Sequence, residues 1–143
     1  MQDYQSIPEL LHKLVHTLDR LADEILQKEY DISYKRAYFL YALQNLGPAT
    51  QHQLASELGY SDASVSTMLA ELSKDGYVVI TPSPNHGRKN VVSLTRYGLV
   101  MVSKGRALLE TRFNELMHRA AIDSQPYYEQ TKQIYDAITE KHN

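Results

Sequence analysis

The chain has no cysteine and no tryptophan among its 143 residues. The absence of cysteine excludes disulfides, thiolate zinc sites and cysteine-based peroxide sensing. No run of eighteen apolar residues occurs, so a membrane-spanning helix is not expected. Met1-Gln2-Asp3-Tyr4 carries neither a basic segment nor an apolar one, so no export signal is expected and a cytoplasmic location is. An excess of charge is missing too, the formal net charge being −2. There is no nucleophile–base–acid constellation, no glycine-rich phosphate loop and no pair of carboxylates in a plausible cleft, so neither an enzyme nor a cofactor is expected.

The distribution of charge says more than its sum. Between Gly76 and Leu109 there is no Asp or Glu, while Arg88, Lys89, Arg96, Lys104 and Arg106 all fall there. Acidic residues gather early (Asp19, Asp23, Glu24, Glu29, Asp31) and late (Asp123, Glu129, Asp136, Glu140). A basic segment inside a faintly acidic chain is the electrostatic footprint of a compact nucleic-acid reader carried on a separate scaffold.

The basic segment belongs to a longer pattern, from Thr50 to Gly98. A short helix is expected over Thr50–Leu58, with Thr50 and Gln53 as a capping box. Gly59-Tyr60-Ser61 makes a turn, and Ser61 caps a second helix over Asp62–Lys74. Leu54, Ala55 and Leu58 give the first an apolar face; Val65, Met68, Leu69 and Leu72 do so for the second. The other side of the second helix carries Ser64, Ser66, Thr67, Ala70, Glu71 and Lys74, small or polar groups suited to a groove floor. Asp75-Gly76 ends it; strands are expected over Tyr77–Thr81 and Asn90–Leu94, joined by a basic tip, Pro82–Lys89. Two helices at a tight turn followed by a basic hairpin make a winged helix-turn-helix, which lays one helix in the DNA major groove.

Long helices flank this unit. Ser6 and Glu9 cap a helix running to about Glu29, with Pro8 in its first turn. Its apolar stripe (Leu10, Leu11, Leu14, Val15, Leu18, Leu21, Ala22, Ile25, Leu26) is wider than one neighbour requires. Ser33 caps a helix to Leu46 whose Tyr38, Phe39, Ala42, Leu43 and Leu46 are expected to face inward. Thr95 caps a long helix to about Ala121, with Leu99, Val102, Leu108, Leu109, Phe113, Leu116, Met117 and Ala120 along its stripe. Gly98 and Gly105 early in it mark either close backbone approach or a weak start. A last helix is expected over Gln125–Lys141, capped by Asp123 or Ser124. The fold class is mainly α with a small β-wing: residues 1–32 an N-terminal dimerisation helix, 33–98 the winged helix-turn-helix lobe, 99–143 C-terminal dimerisation helices. A symmetric homodimer with two readers matches a palindromic site on double-stranded DNA, its recognition helices ~34–36 Å apart.

Ser64-Val65-Ser66 through Leu72, then Gly76-Tyr77-Val78, then Val91 through Gly98 with its Leu94-Thr95-x-x-Gly98 ending, resemble the MarR family of bacterial transcriptional regulators. The likeness covers nearly the whole chain. It implies promoter binding by a homodimer, usually as a repressor, released by a small and often aromatic effector bound between the dimerisation helices and the DNA-binding lobe. Two positions depart from the family pattern. His86 stands where an Asp normally orients the wing arginine, here Arg88, and Thr67 and Glu71 stand where the recognition helix often carries Arg. Without that Arg, which reads guanine bidentately, specificity is expected to lean on Arg88 in the minor groove and on DNA shape.

The expected DNA contacts are therefore Thr50, Gln51 and Gln53 at a helix N-terminus, Ser61, Ser64, Ser66, Thr67 and Lys74 on the recognition helix, and His86, Arg88, Lys89 and Asn90 on the wing. Lys35 and Arg36, opening another helix, are further candidates for the DNA backbone. His12, His16, Tyr34 and Tyr38 are the candidate effector pocket, with Tyr30 and Tyr41 close by in a chain of 11 tyrosines. His12, His16 and Asp19 share a helix face at metal-ligand spacing, but no further ligand cluster accompanies them and no metal is expected. The competing reading is a winged helix that docks an acidic protein partner without sequence-specific DNA binding.

Overall fold

The computed structural model describes residues 6–83 and 89–140. Helix starts fall where a side chain can satisfy the first backbone amides, which a helix cannot satisfy for itself. Helix α1 spans Ile7–Tyr30 behind a capping box in which Ser6 Oγ accepts from the Glu9 amide and the Glu9 carboxylate accepts from the Ser6 amide. Helix α2 spans Tyr34–Leu46 behind Ser33, α3 spans Gln51–Leu58 behind Thr50, and α4 spans Asp62–Lys74 behind Ser61. Thr95 Oγ1 accepts from the Gly98 amide at 3.0 Å and opens α5, Arg96–Arg119; Asp123 opens α6, Ser124–Thr139. Strands β1 (Ala49–Thr50), β2 (Val78–Pro82) and β3 (Asn90–Leu94) form one antiparallel sheet in the order β1-β3-β2.

Several elements differ from expectation for physical reasons. The Tyr77 amide bonds back to Leu72 O at 2.9 Å and completes the end of α4, so β2 begins one residue later, at Val78, and runs on to Pro82 opposite Asn90. Strand β1 was not expected: Thr50 both caps α3 and pairs with Val91, while Ala49 pairs with Val92. Helix α5 stops at Arg119, because Ala121 takes a left-handed conformation (φ +54°) and its amide turns back to His118 O. Helix α6 stops at Thr139, short of the expected Lys141, because Glu140 takes an extended conformation (φ −67°, ψ 116°); Lys141 itself lies outside the described residues.

The chain divides into two compact units, Met1–Arg106 and Ala107–Asn143, the division falling within α5. This places α1 in the same unit as the winged helix. The first unit holds a core of Leu26, Ile32, Phe39, Leu40, Leu43, Leu54, Val65, Leu72, Val92 and Val102, all essentially inaccessible. Burial of aliphatic and aromatic groups on this scale is the main stabilising contribution. Ala37 and Leu40 of α2 are inside, whereas Tyr38 and Leu46, expected inside, are exposed. Helix α2 is central and buries residues around most of its circumference, so periodicity does not single out one face. Leu99 of α5 is likewise exposed, and Met101 is buried instead. Of the wide stripe on α1 only Leu26 is fully buried, and Leu10, Leu11, Leu14, Val15 and Leu21 remain exposed.

Gly98 is a close approach: a Cβ there would lie 2.1 Å from Tyr77 O. The missing side chain lets α5 start against the segment that joins α4 to β2, and no larger residue fits without backbone movement. In the second unit Met117 is buried, whereas α6 buries none of its residues.

Candidate nucleic-acid interface

Helix α4 is divided lengthwise. Val65, Leu69 and Leu72 are buried at spacings of four and three, and Ala63, Ser64, Ser66, Thr67, Ala70, Glu71 and Lys74 are exposed on the opposite side. The hydroxyls on the exposed side are partly engaged. Ser61 Oγ accepts from the Ser64 amide at 3.1 Å and donates to Ser64 Oγ at 2.9 Å, and Thr67 Oγ1 donates to Ala63 O at 3.1 Å. Each retains lone pairs, and the Ser64 hydroxyl retains its proton to donate. Short side chains that hug the helix let its backbone approach a surface closely.

Helices α3 and α4 are joined across the turn. Gly59, at φ +68°, makes the reversal that a residue with a Cβ rarely adopts. Gln51 Nε2 donates to Asp62 O at 3.0 Å, and His52 Nδ1 lies 3.6 Å from Asp62 Oδ1. The α3 start thus holds the α4 start, a role for His52 and Asp62 that spacing did not reveal.

The structure reassigns several of the residues expected to meet DNA. Thr50 is buried, with its hydroxyl accepting from the Gln53 amide at 3.2 Å, while Gln53 Oε1 accepts from the Thr50 amide at 2.8 Å. Thr50 therefore builds the α3 start from inside and offers no hydroxyl to a ligand. The half-buried Gln51 side chain donates from Nε2 to Asp62 O, and Gln53 remains exposed. Arg36 forms an ion pair with Asp75 at the end of α4, and Lys35 Nζ lies 5.6 Å above the Tyr60 ring, so both side chains have partners within the protein. Ser61, Ser64, Ser66, Thr67, Lys74, Lys89 and Asn90 are exposed, as an interface requires. Wing strands β2 and β3 pair from Val78–Leu94 to Pro82–Asn90, and the Ser83 amide donates to Lys89 O at 3.3 Å. His86 and Arg88 lie outside the described residues.

A cleft of about 650 Å³ opens beside α1 and α2, lined by Val15, His16, Asp19, Arg20, Asp23, Tyr34, Lys35, Tyr38 and Tyr60. It unites three of the four expected pocket residues, His16, Tyr34 and Tyr38. His12, a turn earlier on α1, does not line it. Tyr60, from the turn between α3 and α4, does, and sequence reasoning missed it because it is adjacent only in space. Asp23 Oδ1 accepts from the Tyr34 amide at 2.9 Å and fixes the rim. Burial, then the Asp19 charge, then neighbouring Tyr38 raise the Tyr34 phenol above its ordinary pKa, so it is a neutral donor at physiological pH. Among the described residues no group of three His, Cys, Asp or Glu side chains comes together to hold a metal, and no helix there is long and apolar enough to cross a membrane.

The MarR family model matches residues 30–89, which run from the last residue of α1 to the residue before β3. An uncharacterized HTH-type transcriptional regulator of Bacillus cereus is 25% identical over 134 residues, covering 92% of this chain and 84% of that protein. A regulator of the same description from Bacillus anthracis aligns to the same extent. Among solved structures, a mutant MarR of E. coli complexed with operator DNA matches with a TM-score of 0.79 at 21% identity, covering 94% of this chain and 95% of that one. The Staphylococcus aureus MepR–DNA complex matches with a TM-score of 0.73 at 24% identity, covering 93% and 94%. These structural likenesses establish the fold.

Proposed function

We propose that this chain, whose residues 30–89 match the MarR family model, is a homodimeric, sequence-specific DNA-binding transcriptional regulator, a repressor released by a small aromatic effector. The observation that carries the reading is the split character of α4. One side is locked into the core of the winged helix, and the other leaves the short polar groups Ser64, Ser66 and Thr67 exposed. Ser64, Ser66 and Thr67 meet base edges and phosphate in the major groove, with Lys74 on the backbone. Lys89 and Asn90 take phosphate at the wing, where Arg88 reads the minor groove. That two structures of this fold were solved in complex with DNA supports DNA binding as the function.

The dimer is formed by α1, α5 and α6. The uncovered apolar groups of α1 and of α6, among them Leu10, Val15, Ile134 and Ile138, support it. The effector occupies the cleft lined by His16, Tyr34, Tyr38 and Tyr60, where an aromatic ring can stack on tyrosine and a polar substituent can meet a phenol. Its contacts span α1, α2 and the α3–α4 turn, so an occupant bears on elements that position α4.

The test is selection of bound duplexes from fragments of the source genome, followed by affinity measurements across a salt series for the wild type, Arg88→Ala, and the double variant Ser64→Ala with Thr67→Ala. The expected result is one palindromic motif, affinity that falls steeply with salt, and a loss of about tenfold in each variant. Binding without sequence preference, unchanged by the variants, would favour a wing that docks a protein partner.

A further inference from the structure

The C-terminal end of α4 is fastened from two directions. From α5, Thr95 Oγ1 donates to Gly76 O at 2.6 Å and the Thr95 amide donates to Tyr77 O at 3.0 Å. From α2, Arg36 reaches across 39 positions of sequence to Asp75, the residue that caps α4. Arg36 is itself held in place, because its amide is bonded to Ser33 Oγ at 3.2 Å in the first turn of α2.

The position of Asp75 makes this pair more than a surface contact. A carboxylate at a helix C-terminus faces the negative end of the helix dipole, where it is unfavourable. On a recognition helix it also faces the phosphates that the helix is meant to approach. Arg36 neutralises Asp75 on the protein side and leaves Lys74, its exposed neighbour, as the cation free to meet phosphate. The Arg36 side chain is only 22% exposed and its Nε is buried without a hydrogen-bond partner among the described residues. Asp75 is therefore its principal anchor.

We infer that Arg36 is a positioning residue for DNA reading: through Asp75 it fixes the end of α4, and so the seating of Ser64, Ser66 and Thr67 on the bases, without touching DNA. This inference rests on the DNA-reading function proposed above. It replaces the expectation that Arg36 meets the DNA backbone, and the two make opposite predictions. A phosphate contact contributes equally to every duplex and steepens the salt dependence, so its loss weakens binding uniformly and lowers the salt slope by about 1. A positioning residue contributes only where geometry is read.

The experiment compares wild type, Arg36→Ala, Asp75→Asn and the charge swap Arg36→Asp with Asp75→Arg. Affinity is measured on the selected duplex and on a random duplex across a salt series, with thermal unfolding as a control for folding. Amide hydrogen exchange of the free proteins gives a second readout independent of DNA. The expected result for Arg36→Ala is a loss of about tenfold on the selected duplex, a smaller loss on random DNA and an unchanged salt slope. Exchange should quicken at the amides of Asp75, Gly76 and Tyr77, and the charge swap should recover part of the specific affinity. Equal losses on both duplexes with a reduced slope would overturn the inference in favour of direct phosphate contact. A lowered melting temperature with an unchanged ratio of specific to random affinity would reduce the pair to a structural tie and overturn it as well. A wild-type chain with no preferred duplex would overturn the parent reading and this role with it, whereas a preference that Arg36→Ala leaves intact would overturn this role alone.

Discussion

Helix α4 and helix α6 are both amphipathic, and their surroundings are opposites. The apolar side of α4 is inside the protein, its start is capped by Ser61, and its end is fastened by Arg36 and Thr95. Helix α6 is capped as well, by Asp123, yet Ile134, Tyr135 and Ile138 stand 56%, 65% and 78% exposed. Local signals are complete in both; among the described residues only α4 has its apolar side buried. The contrast separates a helix with a buried apolar side from one whose apolar side stays exposed, and a second copy is the occupant that the proposed function supplies.

Placing Glu at both Ile134 and Ile138 attacks the comparison at its weaker member and carries the largest expected effect. Self-association should weaken by more than about a hundredfold, since two isoleucines at about 1.5–3 kcal/mol each amount to about 3 kcal/mol or more. Thermal unfolding of the first unit should hardly change. Analytical ultracentrifugation with circular dichroism checks both, and a variant that still dimerises would remove α6 from the interface.

Gly98→Ala attacks the stronger member. Its Cβ would fall 2.1 Å from the Tyr77 carbonyl oxygen, a backbone atom that cannot swing aside. A destabilisation of about 1–3 kcal/mol is expected in urea unfolding.

Tyr41→Phe sharpens the comparison by showing that even the completed unit carries a flaw. The Tyr41 hydroxyl is buried without a hydrogen-bond partner among the described residues, close to Gly105, while Arg106 lies 4.9 Å from the ring and donates to Tyr41 O at 3.2 Å. Removing an unsatisfied hydroxyl should stabilise the protein by about 1 kcal/mol. Burial pushes the Tyr41 phenol up to about 12, against a partial lowering by Arg106, and burial with the Tyr97 hydrogen bond pushes Tyr77 to about 12 as well. Both folded values exceed that of an unfolded tyrosine, so this contribution is intact below about pH 10 and is lost as pH rises toward 12. Unfolding measured from pH 9 to 12 should fall less steeply in Tyr41→Phe. The smallest effect belongs to Ser6→Ala, which opens the first capping box and should cost about 0.5–1 kcal/mol.

What the sequence made legible divides along the same line. The starts of all six helices could be read because each is signalled within three or four residues: Ser6 with Glu9, Ser33, Thr50 with Gln53, Ser61, Thr95, Asp123. The buried and exposed sides of α4 could be read because its periodicity is clean. Strand β1 could not, because two residues carry no alternation and their pairing partner lies some forty residues on. The roles of Arg36, Tyr60 and Asp62 were hidden for the same reason: each is defined by a neighbour in space. Tyr38 was assigned inward because α2, central in its unit, has no single apolar side for periodicity to find. Thr50 shows a subtler limit, since the hydroxyl at the helix N-terminus that marks it as a DNA contact is buried in building the helix start.

The claim that joins these observations is that two copies of a self-contained reading lobe act together on one DNA site. The most direct measurement is the mass of the complex that the wild-type chain forms on its selected duplex, by native mass spectrometry or sedimentation equilibrium. Two chains per duplex, with no stable single-chain complex at lower protein concentration, is the predicted result. One chain bound per duplex with full affinity and sequence preference would contradict it.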